Sequence, residues 1–357
     1  MDDHNGIFYG GAAMMKKTLI QKTDNFYMKR AIRLAKRAFG MTSPNPLVGA
    51  VIVKNGRIIG EGWHKRCGGP HAEVEAIRSL RDPAQAEGAT IYVTLEPCST
   101  FGRTPPCCEA IIEHKFKRVV IGGIDPNPKH AGAAVTRLQE CGIEVMTGVE
   151  QKACEALNTA FFHWITAKRP FVLLKMAETL DGKIATASGS SQWITGDDAA
   201  RKRVRELRLW CDAIAAGSET FRLDHPALTA RDAAGNVLKT PRRFIATHQM
   251  TAPDGFETFS ADTADEWNVF LDRLGAENIT ALLIEGGGEL AASALKAGIV
   301  DQIEFHIAPK LLGGRNSRSS VAGADPVTVA EAMMLDNMKV RKLGRNLLIT
   351  ATPRKEK

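Results

Sequence analysis

Aromatic residues make up only 6% of this 357-residue chain, and no run of consecutive Lys and Arg is dense enough to form a nucleic-acid arm. Proteins that stack bases along a basic groove need both. The net charge of +7 is therefore assigned to a preference for phosphorylated small molecules, with no nucleic-acid partner. No apolar run approaches the roughly 18 residues of a membrane span, and no secretory leader is present, so no membrane partner is expected. The seven cysteines are odd in number, which excludes a fully paired disulfide framework and points to a reduced, cytoplasmic setting. Glycine is plentiful, but the spaced Gly-x-Gly-x-x-Gly dinucleotide fingerprint is missing.

What the chain does contain is a split cluster: His71-Ala-Glu73, then Pro97-Cys98, then Cys107 beside Cys108. One imidazole and two thiolates hold zinc with its fourth position open, the arrangement of a catalytic site. Such a metal lowers the pKa of a bound water from 15.7 to roughly 7. Glu73, two residues from the His, is placed to move protons without serving as a ligand. His-x-Glu with Pro-Cys is the known signature of zinc nucleobase deaminases, whose second half reads Cys-x-x-Cys. Here eight residues separate Cys98 from Cys107, and spacing alone does not choose between Cys107 and Cys108.

At 357 residues the expectation is two domains. Residues 1–22 lack periodicity and read as a flexible extension, with structure starting at Asp24 as a helix N-cap and continuing through Met28, Ile32, Ala35 and Ala38. Val48–Val53, Asn55-Gly56 and Arg57–Gly62 predict a hairpin with a type I′ turn. Thr90–Leu95 predicts a buried strand delivering Cys98, and the spacing after Pro70 starts a helix at His71. Residues 23–150 are thus expected to form a three-layer α/β zinc domain. Residues 151–168 read as one connecting helix, with Ala153, Leu157, Phe161 and Trp164 on a face. Residues 169–357 predict a second α/β domain, with a strand from Phe171, a helix over Asp197–Trp210 and a strand over Ala213–Gly217. A further strand at Ala281–Ile284 opens into Glu285-Gly-Gly-Gly288 and a helix, a turn whose exposed N–H groups suit phosphate.

The motifs then converge on one family. Ser43-Pro-Asn45-Pro, Pro70-His-Ala-Glu73, Thr94-Leu-Glu-Pro-Cys98, Gly102-Arg-Thr-Pro-Pro-Cys107 and Asp125-Pro-Asn-Pro128 resemble the bifunctional deaminase–reductases of riboflavin biosynthesis. So do Leu180-Asp-Gly-Lys183, Ser190-Ser-Gln-Trp-Ile-Thr195, His225-Pro-Ala-Leu-Thr229 and Ala308-Pro-Lys-Leu-Leu312. The resemblance spans roughly residues 24–350. It implies a cytidine-deaminase-like zinc domain followed by a dihydrofolate-reductase-like α/β domain that uses NADPH. The implied substrates are phosphorylated pyrimidine ribosylamines: 2,5-diamino-6-(5-phosphoribosylamino)pyrimidin-4-one is deaminated, and the ribosyl group of the product uracil is reduced to ribityl.

By the same resemblance the zinc ligands are His71, Cys98 and Cys107, the last because it directly follows Thr-Pro-Pro, with Glu73 as proton shuttle. Asn45, His64 and Arg103 match contacts to the deaminase substrate; an amide suits a pyrimidine edge and a guanidinium suits phosphate. Ala177, Trp193, Thr220, Asp224 and Gly287-Gly288-Glu289-Leu290-Ala291-Ala292-Ser293 match cofactor positions. Lys175, Ser191, Arg208, Leu228, Arg231 and Glu285 match substrate positions in the reductase half. A homo-oligomer is also expected. The chain departs from the family at Thr100, where His is commoner, and at His225, which replaces an acidic residue. Thr247-His248 stands in place of Asp-Ser and receives no role. Two other readings are a deaminase of nucleic-acid bases with a C-terminal binding domain, and a non-catalytic protein with a structural zinc. The first lacks the aromatics and basic patches; the second lacks a separate fourth ligand.

Overall fold

In the computed structural model, which describes residues 8–100, 105–127, 131–192 and 194–354, the expected hairpin pairs β1 (Gly49–Lys54) with β2 (Arg57–Trp63). Asn55 and Gly56 have φ of 52° and 72°, the double left-handed conformation that a type I′ turn requires. With β3 (Thr90–Leu95), β4 (Arg118–Gly123) and β5 (Glu144–Met146) they form a sheet of order β2-β1-β3-β4-β5. β1 runs antiparallel to β2 and β3, whereas β3, β4 and β5 are parallel. β1 is apolar on both faces because both are covered. Ala50 and Ile52 pack with residues of α2 (Ala72–Arg78), α3 (Cys107–Glu113) and α4 (Ala133–Glu140), while Val51 and Val53 pack with Tyr27, Met28 and Ile32 of α1 (Phe8–Ala35). This is the three-layer arrangement expected.

α1 corrects the sequence reading, since it runs Phe8–Ala35 and does not start at Asp24. Residues 8–22, expected to be an extension without structure, are helical, and residues 1–7 lie outside the described residues. Asp24 is not a cap. Its buried carboxylate accepts from the Tyr92 hydroxyl at 2.8 Å and from two Arg118 nitrogens at 2.7 and 2.9 Å, tying the helix to β3 and β4. Removing one partner of a buried ion pair strands the other. Asp24→Ala is therefore expected to cost about 3–5 kcal/mol, read as a fall in the urea midpoint of unfolding; an unchanged midpoint would refute the account.

The segment 151–168 is a second correction. It forms two short helices, Gln151–Glu155 and Thr159–Ala167, and the chain divides into two units between Thr166 and Ala167. Ala153, expected on the packed face, is exposed; Cys154, Asn158 and Ala160 are the buried positions. Leu157 packs against the α1-side core, so most of this segment belongs to the first unit.

The second unit is built on an eight-stranded sheet. Its order is Glu257–Phe259, Arg242–Ala246, Ala213–Gly217, Ala281–Glu285, Phe171–Thr179, Gln302–Ala308, Asn346–Pro353 and Leu335–Leu343. The first six are parallel and the last two antiparallel. Ala281–Glu285 is near-continuously apolar, as befits a central parallel strand. The helix Asp198–Trp210 is capped by Asp197, whose carboxylate accepts from the Ala200 amide at 2.8 Å. Under this helix Arg203 forks onto Glu304 at 2.8 and 2.7 Å, and Glu304 also accepts from His306 at 2.8 Å. Burial alone would raise the Glu304 carboxyl; Arg203 and His306 outweigh it and bring it to about 2.

Candidate active sites

Three segments build the first site. His71 is the N-cap of α2, with an extended φ/ψ of −73°/164° that turns the chain off the loop after β2. Glu73 follows in the first helical turn and is buried. Cys98 comes from the loop after β3, and Cys107 opens α3. The ligand atoms of His71, Cys98 and Cys107 lie within 4.8 Å of one another, the only such group of three His, Cys or acidic residues among the described residues. His71 Nδ1 stands 3.5 Å from Cys98 Sγ and 3.2 Å from Cys107 Sγ. Donors at about 2.3 Å (sulfur) and 2.0 Å (nitrogen) from zinc at a tetrahedral angle are separated by roughly 3.5 Å, so the three fit that ion. Cys108 packs instead into the core with Ala76 and Ile111, which separates the two cysteines that spacing left open.

The thiols are electrostatically unequal. The Cys107 thiol donates to Cys98, outweighing burial, and with help from His71 it lowers Cys98 to about 4; Cys107 is pushed up by that same bond and by burial. Glu73 is pushed up to about 7, first by burial and second by the Cys98 thiolate. A divalent cation at the site would pull it back down.

Asn45 and His64, both expected at the substrate, are joined to this cluster. A carbonyl only accepts, so His64 Nδ1 donates to the Pro70 carbonyl at 3.0 Å. Its Nε2 therefore accepts from the Asn45 side-chain amide at 3.1 Å. Burial lowers the His64 pKa, which favours the neutral ring that this pattern needs. Glu96 was missed by the sequence reading. Its carboxylate accepts from the amides of Asp125, Gly132 and Ala134 at 3.2, 3.0 and 3.1 Å, which fixes the start of α4 beside the end of β3. Arg103 lies outside the described residues.

The second unit carries a cleft of about 2450 Å³ along the carboxyl ends of its parallel strands. Of the expected substrate residues, Lys175, Ser191, Arg208, Leu228, Arg231 and Glu285 all line it. Glu285 is gripped from two sides, by Arg208 Nε at 3.0 Å and Lys175 Nζ at 3.4 Å. These cations overcome burial and hold its carboxyl at about 2. Arg208 also donates to the Thr229 carbonyl at 3.2 Å. Leu228 is buried with φ of 50°, a strained backbone for a branched side chain.

Ala177, Thr220, Asp224, Gly287, Gly288, Glu289, Leu290, Ala292 and Ser293 line the cleft as expected of cofactor residues. Gly286 and Gly287 have φ of 82° and 84° at the start of helix Gly288–Lys296, and a Cβ on Gly287 would meet Thr220 Oγ1 at 3.2 Å. Such a side-chain-free turn at a positive helix end fits a pyrophosphate. One expectation changes, and two are qualified. Ala291 is wholly buried in the core, pointing away from the cleft at helical spacing. The Ser293 hydroxyl is committed to Trp267 Nε1 at 2.9 Å and to the Ala261 carbonyl. Asp224 accepts from the Ser191 hydroxyl at 2.9 Å, so one cofactor and one substrate position form a pair. Trp193 lies outside the described residues.

Residues 21–123 match the cytidine and deoxycytidylate deaminase zinc-binding region, and residues 170–349 match the RibD C-terminal domain. The riboflavin biosynthesis protein RibD of Escherichia coli K12 is 41% identical over 91% of this chain and 98% of its own length. That of Actinobacillus pleuropneumoniae is 40% identical over 92% and 94%. The chain belongs to the RibD family. RibD of Acinetobacter baumannii (form 1) superposes with a TM-score of 0.83 at 35% identity, covering 94% of this chain and all of that one. The Thermotoga maritima structure, described as a diaminohydroxyphosphoribosylaminopyrimidine deaminase/5-amino-6-(5-phosphoribosylamino)uracil reductase, gives 0.81 at 35% identity, over 94% and 99%. As a member of that family, the chain is a bifunctional deaminase and reductase of riboflavin biosynthesis, with a zinc-binding deaminase unit and an NADPH-dependent reductase unit. The reading as a nucleic-acid deaminase gives way to this one.

One metal prediction follows from the two cysteines. Cys107→Ser is expected to empty the site and Cys108→Ser to leave about one zinc per chain. Elemental analysis showing the reverse would overturn the ligand set.

Proposed function

We propose that the first unit hydrolyses the exocyclic amine from 2,5-diamino-6-(5-phosphoribosylamino)pyrimidin-4-one, and that the second reduces the ribosyl group of the resulting aminouracil to ribityl. The carrying observation is the convergence of His71, Cys98 and Cys107 beside buried Glu73. Zinc held by those three supplies the Lewis acidity that makes water a nucleophile near neutral pH. Glu73 takes one proton from the attacking water and passes it to the ring nitrogen, then carries the proton of the added hydroxyl to the amine, which leaves as ammonia when the C–N bond breaks. The Asn45 carbonyl oxygen, which its bond to His64 does not use, accepts from a ring or amine N–H of the pyrimidine. Arg103 is assigned to the phosphate by family position.

In the reductase cleft NADPH supplies the hydride. Gly287 and Gly288 hold its pyrophosphate, and Arg208, Arg231 and Lys175 bind the phosphorylated substrate. Glu285 orients Lys175 and Arg208 and accepts from ribose hydroxyls. Incubating the protein with the diaminopyrimidine phosphate, with and without NADPH, tests the whole reading. Ammonia should appear in both tubes and NADPH should be consumed in one; no ammonia in either rejects it.

No described helix is long and apolar enough to cross a membrane, and all seven cysteines are free; we assign the protein to the cytoplasm. A second copy of the chain is its partner. The edge strand Leu335–Leu343 pairs on one side only and exposes Leu335, Met338 and Val340. Apolar side chains exposed between the charges of an edge strand (Lys339, Arg341, Lys342) suit isologous pairing of two copies. Sedimentation should show a dimer that Met338→Glu dissociates, and a monomeric wild type would discard this interface.

A further inference from the structure

Two residues before Asn158, the helix Gln151–Glu155 has ended, and Asn158 lies just ahead of the next. It touches neither zinc ligand nor Glu73 in any hydrogen bond the structure shows, yet its amide is buried. Its Oδ1 accepts from the Leu47 amide at 2.7 Å and its Nδ2 donates to the Leu47 carbonyl at 2.9 Å. A side chain thus satisfies both backbone groups of one residue, 111 positions away, in the way a neighbouring strand would. Leu47 needs this. It sits in the connection between α1 and β1, where the Asn45 amide already turns back onto the Thr42 carbonyl at 2.8 Å and no strand partner reaches.

Leu47 is two residues from Asn45, and Asn45 is where the sequence of bonds enters the site. It donates to His64 Nε2 at 3.1 Å; His64 Nδ1 donates to the Pro70 carbonyl at 3.0 Å; Pro70 immediately precedes His71. On the other side of Leu47, Val48 accepts from the His64 amide at 2.9 Å and Gly49 donates to Thr94 Oγ1 at 3.1 Å. At Leu47 itself, next to these strand bonds, the Asn45 loop is held by the Asn158 side chain, which comes from the segment read as a mere connector.

We propose that Asn158 is a positioning residue of the deaminase: its two bonds to Leu47 hold the Asn45–Leu47 loop at the spacing that Asn45 needs to reach both His64 and the pyrimidine. The inference rests on the proposed deaminase reading, in which Asn45 contacts substrate. Asn158 acts through Asn45 and does not meet the reacting atoms. It follows that the deaminase unit extends through residue 158 rather than closing near residue 150.

The test uses the full chain. With the diaminopyrimidine phosphate as substrate, Asn158→Ala should raise KM roughly tenfold while kcat falls less than about threefold, as for lost ground-state positioning. Zinc content and NADPH oxidation with the deaminated intermediate should match wild type. Asn158→Asp keeps the acceptor for the Leu47 amide and should give an intermediate KM; it also carries the test if the alanine variant does not fold. In an Asn45→Ala background, adding Asn158→Ala should change KM by less than about twofold, because the two share one route. If KM is unmoved and activity falls only with the folded fraction, Asn158 is structural and the inference fails. Full multiplication of the two KM effects also overturns it. A wild type that releases no ammonia instead rejects the functional reading itself.

Discussion

Glu73→Gln is expected to bind one zinc per chain, keep the fold, and lose ammonia release by roughly 10² to 10⁴-fold. The amide is nearly isosteric with the carboxylic acid and sits in the first turn of α2, so the helix and its His71 N-cap persist. What it removes is the ability to take up and hand on a proton. That ability matters here because Glu73 is buried, and among the described residues the grouped ligand atoms are those of His71, Cys98 and Cys107, none of them a carboxylate. Burial and the Cys98 thiolate raise its carboxyl to about 7, so that in the metal-free site its charged and neutral forms are both accessible near neutral pH. Ammonia release and zinc content are measured on the same preparation. A zinc-loaded Glu73→Gln that still releases ammonia at close to the wild-type rate would remove Glu73 from the mechanism.

Most of that cluster was legible because the chemistry is local, whereas spacing left Cys107 and Cys108 undecided and only the family resemblance chose between them. His71 caps the helical turn that holds Glu73, and Cys98 follows a run, Thr90–Leu95, whose β-branched and aromatic residues announce a buried strand. Asn55-Gly56 likewise names its own turn, since two consecutive left-handed residues need those side chains. Periodicity also recovered the strands at Ala213–Gly217 and Ala281–Glu285. What stayed hidden were polar residues whose partners lie far off in the chain. Asp24 looked like a helix cap because acidic residues favour that place; its partners, Tyr92 and Arg118, become visible only when β3 and β4 lie side by side. Glu96 reads as part of a Leu-Glu-Pro-Cys motif, with nothing to show that it binds three amides from residue 125 onward. Asn158 sat at the supposed middle of a connecting helix, and the pattern there favoured an uninterrupted stripe that the chain in fact breaks. The group in which Arg203 reaches the buried Glu304 and His306 is of the same kind. A hydrophobic period records which face is covered; it carries no record of which polar group meets which.

The reductase half makes the complementary prediction. Glu285→Gln is expected to lower NADPH consumption by roughly 10²-fold or more, since leaving the partners of a buried charge pair unpaired costs about 2–5 kcal/mol. The substitution keeps the side chain's shape but removes the charge that Arg208 and Lys175 share at 3.0 and 3.4 Å. Arg208→Ala should do the same from the other side, and it also gives up the bond to the Thr229 carbonyl at 3.2 Å. Both residues line a cleft formed wholly within the second unit, whereas the zinc cluster lies wholly within the first. Ammonia release by both variants should therefore stay within about twofold of wild type, the additivity expected of independent sites. Glu73→Gln, supplied with the deaminated intermediate, should still oxidise NADPH. The measurement is a two-by-two of ammonia and NADPH absorbance for each folded variant. Loss of both activities from one folded single substitution would mean that the two chemistries share residues or are coupled, and the division at Thr166 would then separate the fold without separating the functions.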